Sequence, residues 1–131
     1  MLKRLAIGVL CLAAACASAG NTSDDGKTAK NPDVISAEEL AAPEISAGDA
    51  LQVIQRLRPR FLMVQGQKSS SNPTAGAVKI SVDGAPLLAV DNLHNVQASS
   101  LKEIRYLSSS EAAQKYGTAS NGGPVILLKT K

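Results

Sequence analysis

The chain has 131 residues, with 14 Lys+Arg against 11 Asp+Glu, two cysteines and three aromatic residues, Phe61, Tyr106 and Tyr116. That length holds one folded domain and leaves no room for a second core. So few aromatic side chains argue against a sugar- or base-stacking platform, and the formal charge of +3 has meaning only once the first twenty residues are set apart.

Met1-Leu2-Lys3-Arg4 is basic, and Leu5 to Ala15 is uncharged and mostly apolar. Small residues follow through Ala19, the pattern of a bacterial export signal. At 1.5 Å per residue the apolar run covers roughly half of a 30 Å hydrocarbon core, and no other stretch approaches the ~20 apolar residues of a spanning helix. Two cleavage sites compete. Cleavage before Cys16 makes that residue the lipid-bearing first residue of a lipoprotein, with Ala14 and Ala15 suitably small, although Ala13 stands where Leu is usual. Cleavage after Ala17-Ser18-Ala19 would discard both cysteines. The lipoprotein reading is preferred, because a cysteine closing the apolar run and followed by a polar linker has a use as an anchor. The expected organisation is a signal peptide over 1–15, a flexible tether over 16–32 and an α+β domain over 33–131. The expected location is the periplasmic face of the outer membrane, with the soluble periplasm as the alternative.

From Cys16 onward the net charge falls to +1 and no cysteine remains for a disulfide. The charge is unevenly placed. Residues 16–49 carry Lys27 and Lys30 against seven acids, while residues 50–131 carry ten basic residues against Asp83, Asp91, Glu103 and Glu111. Such asymmetry can mark contact with an anionic surface. A solvated acidic stem and ordinary exposed basic positions explain it more simply, since only Arg56, Arg58 and Arg60 cluster tightly. Those three are the candidate interaction surface. Nucleic acid is not an expected partner of an exported chain of this kind.

Ala17 to Pro32 has no apolar residue larger than Ala and cannot bury enough surface to offset its ordering entropy. Ser36-Ala37-Glu38-Glu39 has capping-box spacing, which predicts a short helix from Ala37 to about Ala42, ended by Pro43. Ser46 to Asp49 repeats that start, and Ala50, Leu51, Ile54 and Leu57 follow at helical spacing until Pro59. Phe61 to Val64 is short and apolar and reads as a strand, followed by a polar loop over Gly66–Gly76.

Val78 to Val82 alternates, with Val78, Ile80 and Val82 inward, and Asp83-Gly84 signals a tight turn. Ala85 to Ala89 is then a short partner or edge strand, because Pro86 cannot donate to a ladder. A connecting segment leads to a half-buried strand, Leu101 to Leu107, with Ile104 and Tyr106 inward. Ser110 is read as the cap of a helix from Glu111 to Tyr116, closed by Gly117. After Gly122-Gly123-Pro124, Val125 to Leu128 is apolar on both faces and reads as a central strand. The whole is an α+β domain, a small mixed sheet with two or three short helices.

The inventory for catalysis is thin. His94 is the one histidine, and Asp91 with His94 could supply two members of a triad, but none of the serines lies in a G-x-S-x-G elbow. No second His or Cys remains in the mature chain for a metal site, and no phosphate-binding glycine loop occurs. The residues point to a non-catalytic module without a cofactor.

Four segments resemble the plug domain of TonB-dependent outer-membrane receptors. They are Val82-Asp83-Gly84-Ala85-Pro86-Leu87, Leu101 to Leu107, Ala112 to Gly117, and Gly122 to Lys131. In plugs these positions hold a V-D-G-V-P hairpin, an I-E-V-L strand, an A-x-x-x-Y-G helix end and a closing G-G-V-I-x-I-x-T-K strand. Val34 to Leu40 is similar to the plug's opening V-I-T-x-E-E-I. The resemblance covers nearly all of residues 34–131 and makes Asp83, Gly84, Gly117, Gly122 and Gly123 fold-defining turn residues.

The resemblance implies architecture more than activity. In receptors a long barrel follows the plug, whereas this sequence stops at Lys131, so a stand-alone plug that forms no pore by itself is expected. The apolar segment through which receptors contact TonB has no counterpart in the polar stretch from Ala17 to Pro32, so direct TonB contact is not expected. The expected function is a protein-interaction module whose partner is an envelope or outer-membrane protein, including a barrel or transport complex. A periplasmic small-ligand binder or carrier is the alternative.

Overall fold

The computed structural model describes residues 30–64 and 70–131. The expected signal peptide, Cys16, most of the expected tether and residues 65–69, which take in the start of the expected polar loop, lie outside the described residues. The fold is α+β, a five-stranded mixed sheet with short helices.

The strands are β1 (Val34–Ile35), β2 (Lys79–Val82), β3 (Leu88–Ala89), β4 (Leu101–Leu107) and β5 (Val125–Thr130), in the spatial order β1-β4-β5-β2-β3. The apolar run of β5 takes the central place, antiparallel to β4 and parallel to β2. Its alternation decides both faces. Ile126 and Leu128 stand opposite Tyr106 and Ile104 and beside Ile80 and Val82, on the face that holds the main core. Val125, opposite Leu107, is buried outside that core, as is Ala112 of helix α4 (Ser109–Tyr116), which packs against β4.

Helices α1 (Ala37–Leu40), α2 (Pro43–Ser46) and α3 (Ala50–Leu57) cover the main core with Leu40, Ile45, Ala50, Val53 and Ile54. The Ser36 capping box forms as expected, but α1 ends at Leu40. Pro43 begins α2 as well as limiting α1, its fixed φ suiting a first helical position. Asp49, not Ser46, caps α3: its carboxylate accepts the Gln52 N–H at 2.8 Å.

The expected strand at Phe61 to Val64 does not form. Pro59–Leu62 is a 3₁₀ turn that continues from α3 and drives Phe61 into the core, where it stacks on Tyr106 with centroids 4.9 Å apart. Both sheet edges are already occupied, by β1 and β3, and Met63 and Val64 remain exposed. The segment before β4 contains two 3₁₀ turns, Val90–Asn95 and Ala98–Ser100.

Two serines are placed differently from the sequence pattern. Ser81, expected to face water, is fully buried and donates its hydroxyl to the Ala85 carbonyl at 2.7 Å, so its burial leaves no lost hydrogen bond. Ser108, not Ser110, caps α4, since only Ser108 has a glutamate at the capping-box distance: Glu111 accepts from the Ser108 N–H and hydroxyl.

The turn residues fall at the junctions. Asp83 and Gly84 both have positive φ, 48° and 80°, and the Ala85 N–H donates to the Val82 carbonyl at 2.8 Å, forming the mirror-type turn that suits a twisted hairpin. Gly117 has positive φ but extended ψ and leads into a 3₁₀ turn, Gly117–Ser120. The left-handed helical conformation belongs instead to Asn121, next to Gly122. Gly123 is required by contact: a Cβ there would lie 2.9 Å from the Gly76 carbonyl carbon and still closer to the Ala77 carbonyl oxygen.

Gly123→Ala is therefore expected to lose about 3 kcal/mol of stability, because backbone must move. Gly84→Ala, whose Cβ enters open space, is expected to lose about 1 kcal/mol from its backbone angle alone. Urea unfolding of both variants checks the order, and equal losses would contradict it.

Candidate functional site

Two clusters gather the chemistry-bearing residues: a seam at the start of α3 that holds His94, and the arginines of α3 and the turn after it.

His94 lies in the 3₁₀ turn Val90–Asn95 with a mostly exposed ring, and its partner is Asp49 rather than Asp91: Nδ1 is 3.1 Å from Oδ2. The other Asp49 oxygen caps α3. Main-chain bonds close the same seam, from the Ala50 N–H to the Val96 carbonyl and from the Ala98 N–H to the Gly48 carbonyl. The Gln52 N–H foremost, offset in part by burial and helped by His94, holds the Asp49 carboxyl below its ordinary 3.8. A carboxylate that orients an imidazole needs a hydroxyl beyond it to activate a nucleophile. Ser46, Ser100 and Ser120 donate to main-chain carbonyls and Ser108 to its own capping glutamate. The arrangement joins two segments at a helix start.

The arginine cluster divides among separate partners in the acidic N-terminal segment. Arg56 donates to the Glu44 carbonyl at 3.2 Å. Arg58, largely buried, reaches Glu39 Oε1 at 3.3 Å and the Leu57 carbonyl at 2.9 Å. Arg60 donates to the Pro32 carbonyl and to Asp33, both at 2.6 Å, and its guanidinium lies 5.5 Å from the Phe61 ring centroid. Lys30 joins Glu39 at 3.2 Å.

Burial alone would raise the Glu39 carboxyl. Hydrogen bonds from Lys30 and the Ser36 N–H, with the charge of Arg58, outweigh it and hold the group below its ordinary 4.5. Nearby, burial pushes the Tyr106 phenol above 10.0, and its hydroxyl has no hydrogen-bond partner among the described residues.

Asp83 latches the β2–β3 turn to the end of β5. Its two oxygens accept from the Thr130 N–H at 2.9 Å and the Thr130 hydroxyl at 2.6 Å, and these bonds lower its pKa. On the far side, Asn121 accepts from Asn72 at 3.1 Å and donates to Thr74 at 3.2 Å, and so docks the 72–76 loop beside Gly122 and Gly123.

Between α2 and α3 a dent of about 10 Å³, lined by residues including Glu44, Gly48 and Arg56, has room for roughly one water. The described residues include no group of three or more His, Cys, Asp or Glu placed to hold a metal ion, and no helix long and apolar enough to cross a membrane. Comparison with protein-family models, curated proteins and solved structures finds no match to the chain.

The partner of each arginine was not readable from the sequence, although the excess of acid before residue 50 was a signal that some pairing existed. The Asp49–His94 contact spans 45 residues. Only its helix-cap half was detectable, as an aspartate directly before the apolar pattern at Ala50.

Two outcomes follow. Arg58→Ala leaves the nearly buried Glu39 with one exposed lysine and is expected to lose about 2 kcal/mol. Arg56→Ala removes one exposed bond to a carbonyl and is expected to lose less than about 0.5 kcal/mol. Urea midpoints measure both, and a larger loss for Arg56 would reverse the assignment.

Acid dependence is the second outcome. Glu39 and Glu111 are held below 4.5, and Asp49 and Asp83 below 3.8, so each binds its proton less readily folded than unfolded. Their contribution is complete above those ordinary values and is lost as pH falls through the lower folded ones. Urea midpoints should therefore be flat from about pH 7 to about pH 5 and fall on further acidification, with a shallower fall in Asp49→Asn. A midpoint that rises below pH 4.5 would contradict this.

Proposed function

We propose that the chain is a plug-like domain of the bacterial cell envelope, exported, anchored through lipid on Cys16 and acting as a non-catalytic protein-interaction module. The observation that carries this reading is that each of the four resembling segments is a whole junction or element of the fold. Asp83-Gly84 is the hairpin turn, Leu101–Leu107 is β4, Gly117 ends α4, and Gly122-Gly123 leads into β5. A sequence match spread over unrelated loops would offer no such support.

Export and anchoring are supported by Lys3-Arg4, the apolar run from Leu5 and the small residues before Cys16. The partner class is an envelope or outer-membrane protein, a barrel included. The polar stretch from Ala17 to Pro32 speaks against direct pairing with TonB.

Crosslinking in cells followed by mass spectrometry is expected to recover an envelope protein joined to this domain. In the same cells a labelled fatty acid is expected to enter the wild-type chain and not Cys16→Ser. Recovery of no envelope partner would overturn the interaction reading, and unlabelled wild type would overturn the anchor alone.

A further inference from the structure

Three lysines meet at one end of the central strand pair. Leu101 stands opposite Thr130 and Glu103 opposite Lys129, so Lys102 and Lys129 lie on neighbouring strands at the same end. The Lys131 N–H donates to the Ser100 carbonyl and its ammonium to the Ser99 carbonyl, which fixes the last residue there as well. All three side chains are exposed, and none enters an ion pair with a described residue. Of the nearby carboxylates, Glu103 pairs with Arg105 at 3.2 Å, and Asp83 accepts two bonds from Thr130 and also feels the charge of Lys129, without forming an ion pair with it.

We propose that this lysine tip is a contact surface for anionic phospholipid headgroups. Lysine is depleted at protein–protein interfaces, where aromatic residues and arginine anchor binding; the three cations of the tip are lysines, and the arginine beside them, Arg105, is tied to Glu103. Compact charges on flexible stems suit a mobile array of phosphates at a membrane surface. Reach is compatible. The chain enters the sheet at Val34, opposite Arg105, roughly 10 Å along β4 from Lys102. The residues between Cys16 and Lys30 can span on the order of 45 Å when extended, enough for the tip to turn toward a bilayer that holds the lipid.

The inference rests on the envelope placement proposed above, but its test uses vesicles that contain no protein, so either can fail alone. The mature chain from residue 16, with Cys16→Ser so that neither leader nor lipid contributes, is sedimented with phosphatidylcholine vesicles with and without about 30 mol % phosphatidylglycerol. Binding is expected only with the anionic lipid, and is expected to vanish in about 0.5 M salt. Each Lys→Gln change at 102, 129 and 131 should weaken binding about fivefold. The corresponding Lys→Arg triple variant keeps the charge and should bind like wild type, which separates lost charge from lost folding. Lys79→Gln with Lys115→Gln, at the other end of the sheet, should have little effect. Absence of binding, undiminished binding by the triple Gln variant, or equal weakening by the Lys79/Lys115 pair would each overturn the proposal. So would capture of acidic proteins by a tip that ignores the vesicles.

Discussion

The fold depends on burying strand β5 on both faces. Val125, Ile126 and Leu128 are fully or almost fully shielded, and no single layer of helices could shield side chains that point in opposite directions. The apolar residues of α1–α3 and Phe61 cover one face, while the other is closed near Val125, where α4 packs against β4. The central position follows from the same requirement, because an edge strand of this composition would expose an adhesive apolar ribbon. β1 and β3, two residues each, take the edges instead. The parallel pairing of β2 with β5 adds a demand of its own. The segments leading into those strands run side by side, with the Gly76 N–H on the Asn121 carbonyl and the Lys79 N–H on the Pro124 carbonyl. Gly123 lies under Ala77 at this crossing, where a side chain would have to enter backbone.

Charge follows a second rule, set by the kind of cation. The arginines of α3 and the turn after it bind the N-terminal segment: Arg58 and Arg60 meet its carboxylates, and Arg56 meets one of its carbonyls. A guanidinium has several donors in a fixed fork, so one side chain can satisfy a carboxylate and a carbonyl together, as Arg60 does. Among the described lysines only Lys30 joins an ion pair. The acidic first third and the basic remainder are thus partly one structure, the acids forming a strap that the arginines hold. Among the described cations, those without an ion pair are chiefly lysines.

How much of this was legible depended on the range of the interaction. The inward places of Val78 and Ile80, the Asp83-Gly84 turn, the extent of Leu101–Leu107 and the central place of Val125–Leu128 are encoded within a few residues, and the structure has each. Four apolar residues, Phe61–Val64, do not by themselves separate a strand from a 3₁₀ turn, and the packing of Phe61 on Tyr106 that draws the turn into the core is a property of the whole fold. Ser110 was a plausible cap by composition, whereas Ser108 had the partner, and the spacing to Glu111 was the better signal. Ser81 departs from the expected alternation in being buried, and the connecting loop of its own hairpin accepts its hydroxyl at Ala85. The candidate site was less legible still. The arginines were found as a cluster, but their partners are 12 to 28 residues away.

These two rules bear on where a partner can bind. A surface that already spends its hydrogen bonds within the chain must break them to bind anything else, so the arginine strap offers a partner little that is free. Arg58 is the clearest case, since removing it from Glu39 would leave a nearly buried carboxylate with only the exposed Lys30 to balance it. At the far end of β4 and β5 the opposite holds. Asp83 is held by Thr130 and Glu103 by Arg105, and Lys102 and Lys129 are exposed and form no ion pair with a described residue. Contact with an external anion there breaks no ion pair, whereas a partner at the arginine strap would have to displace carboxylates already held within the chain.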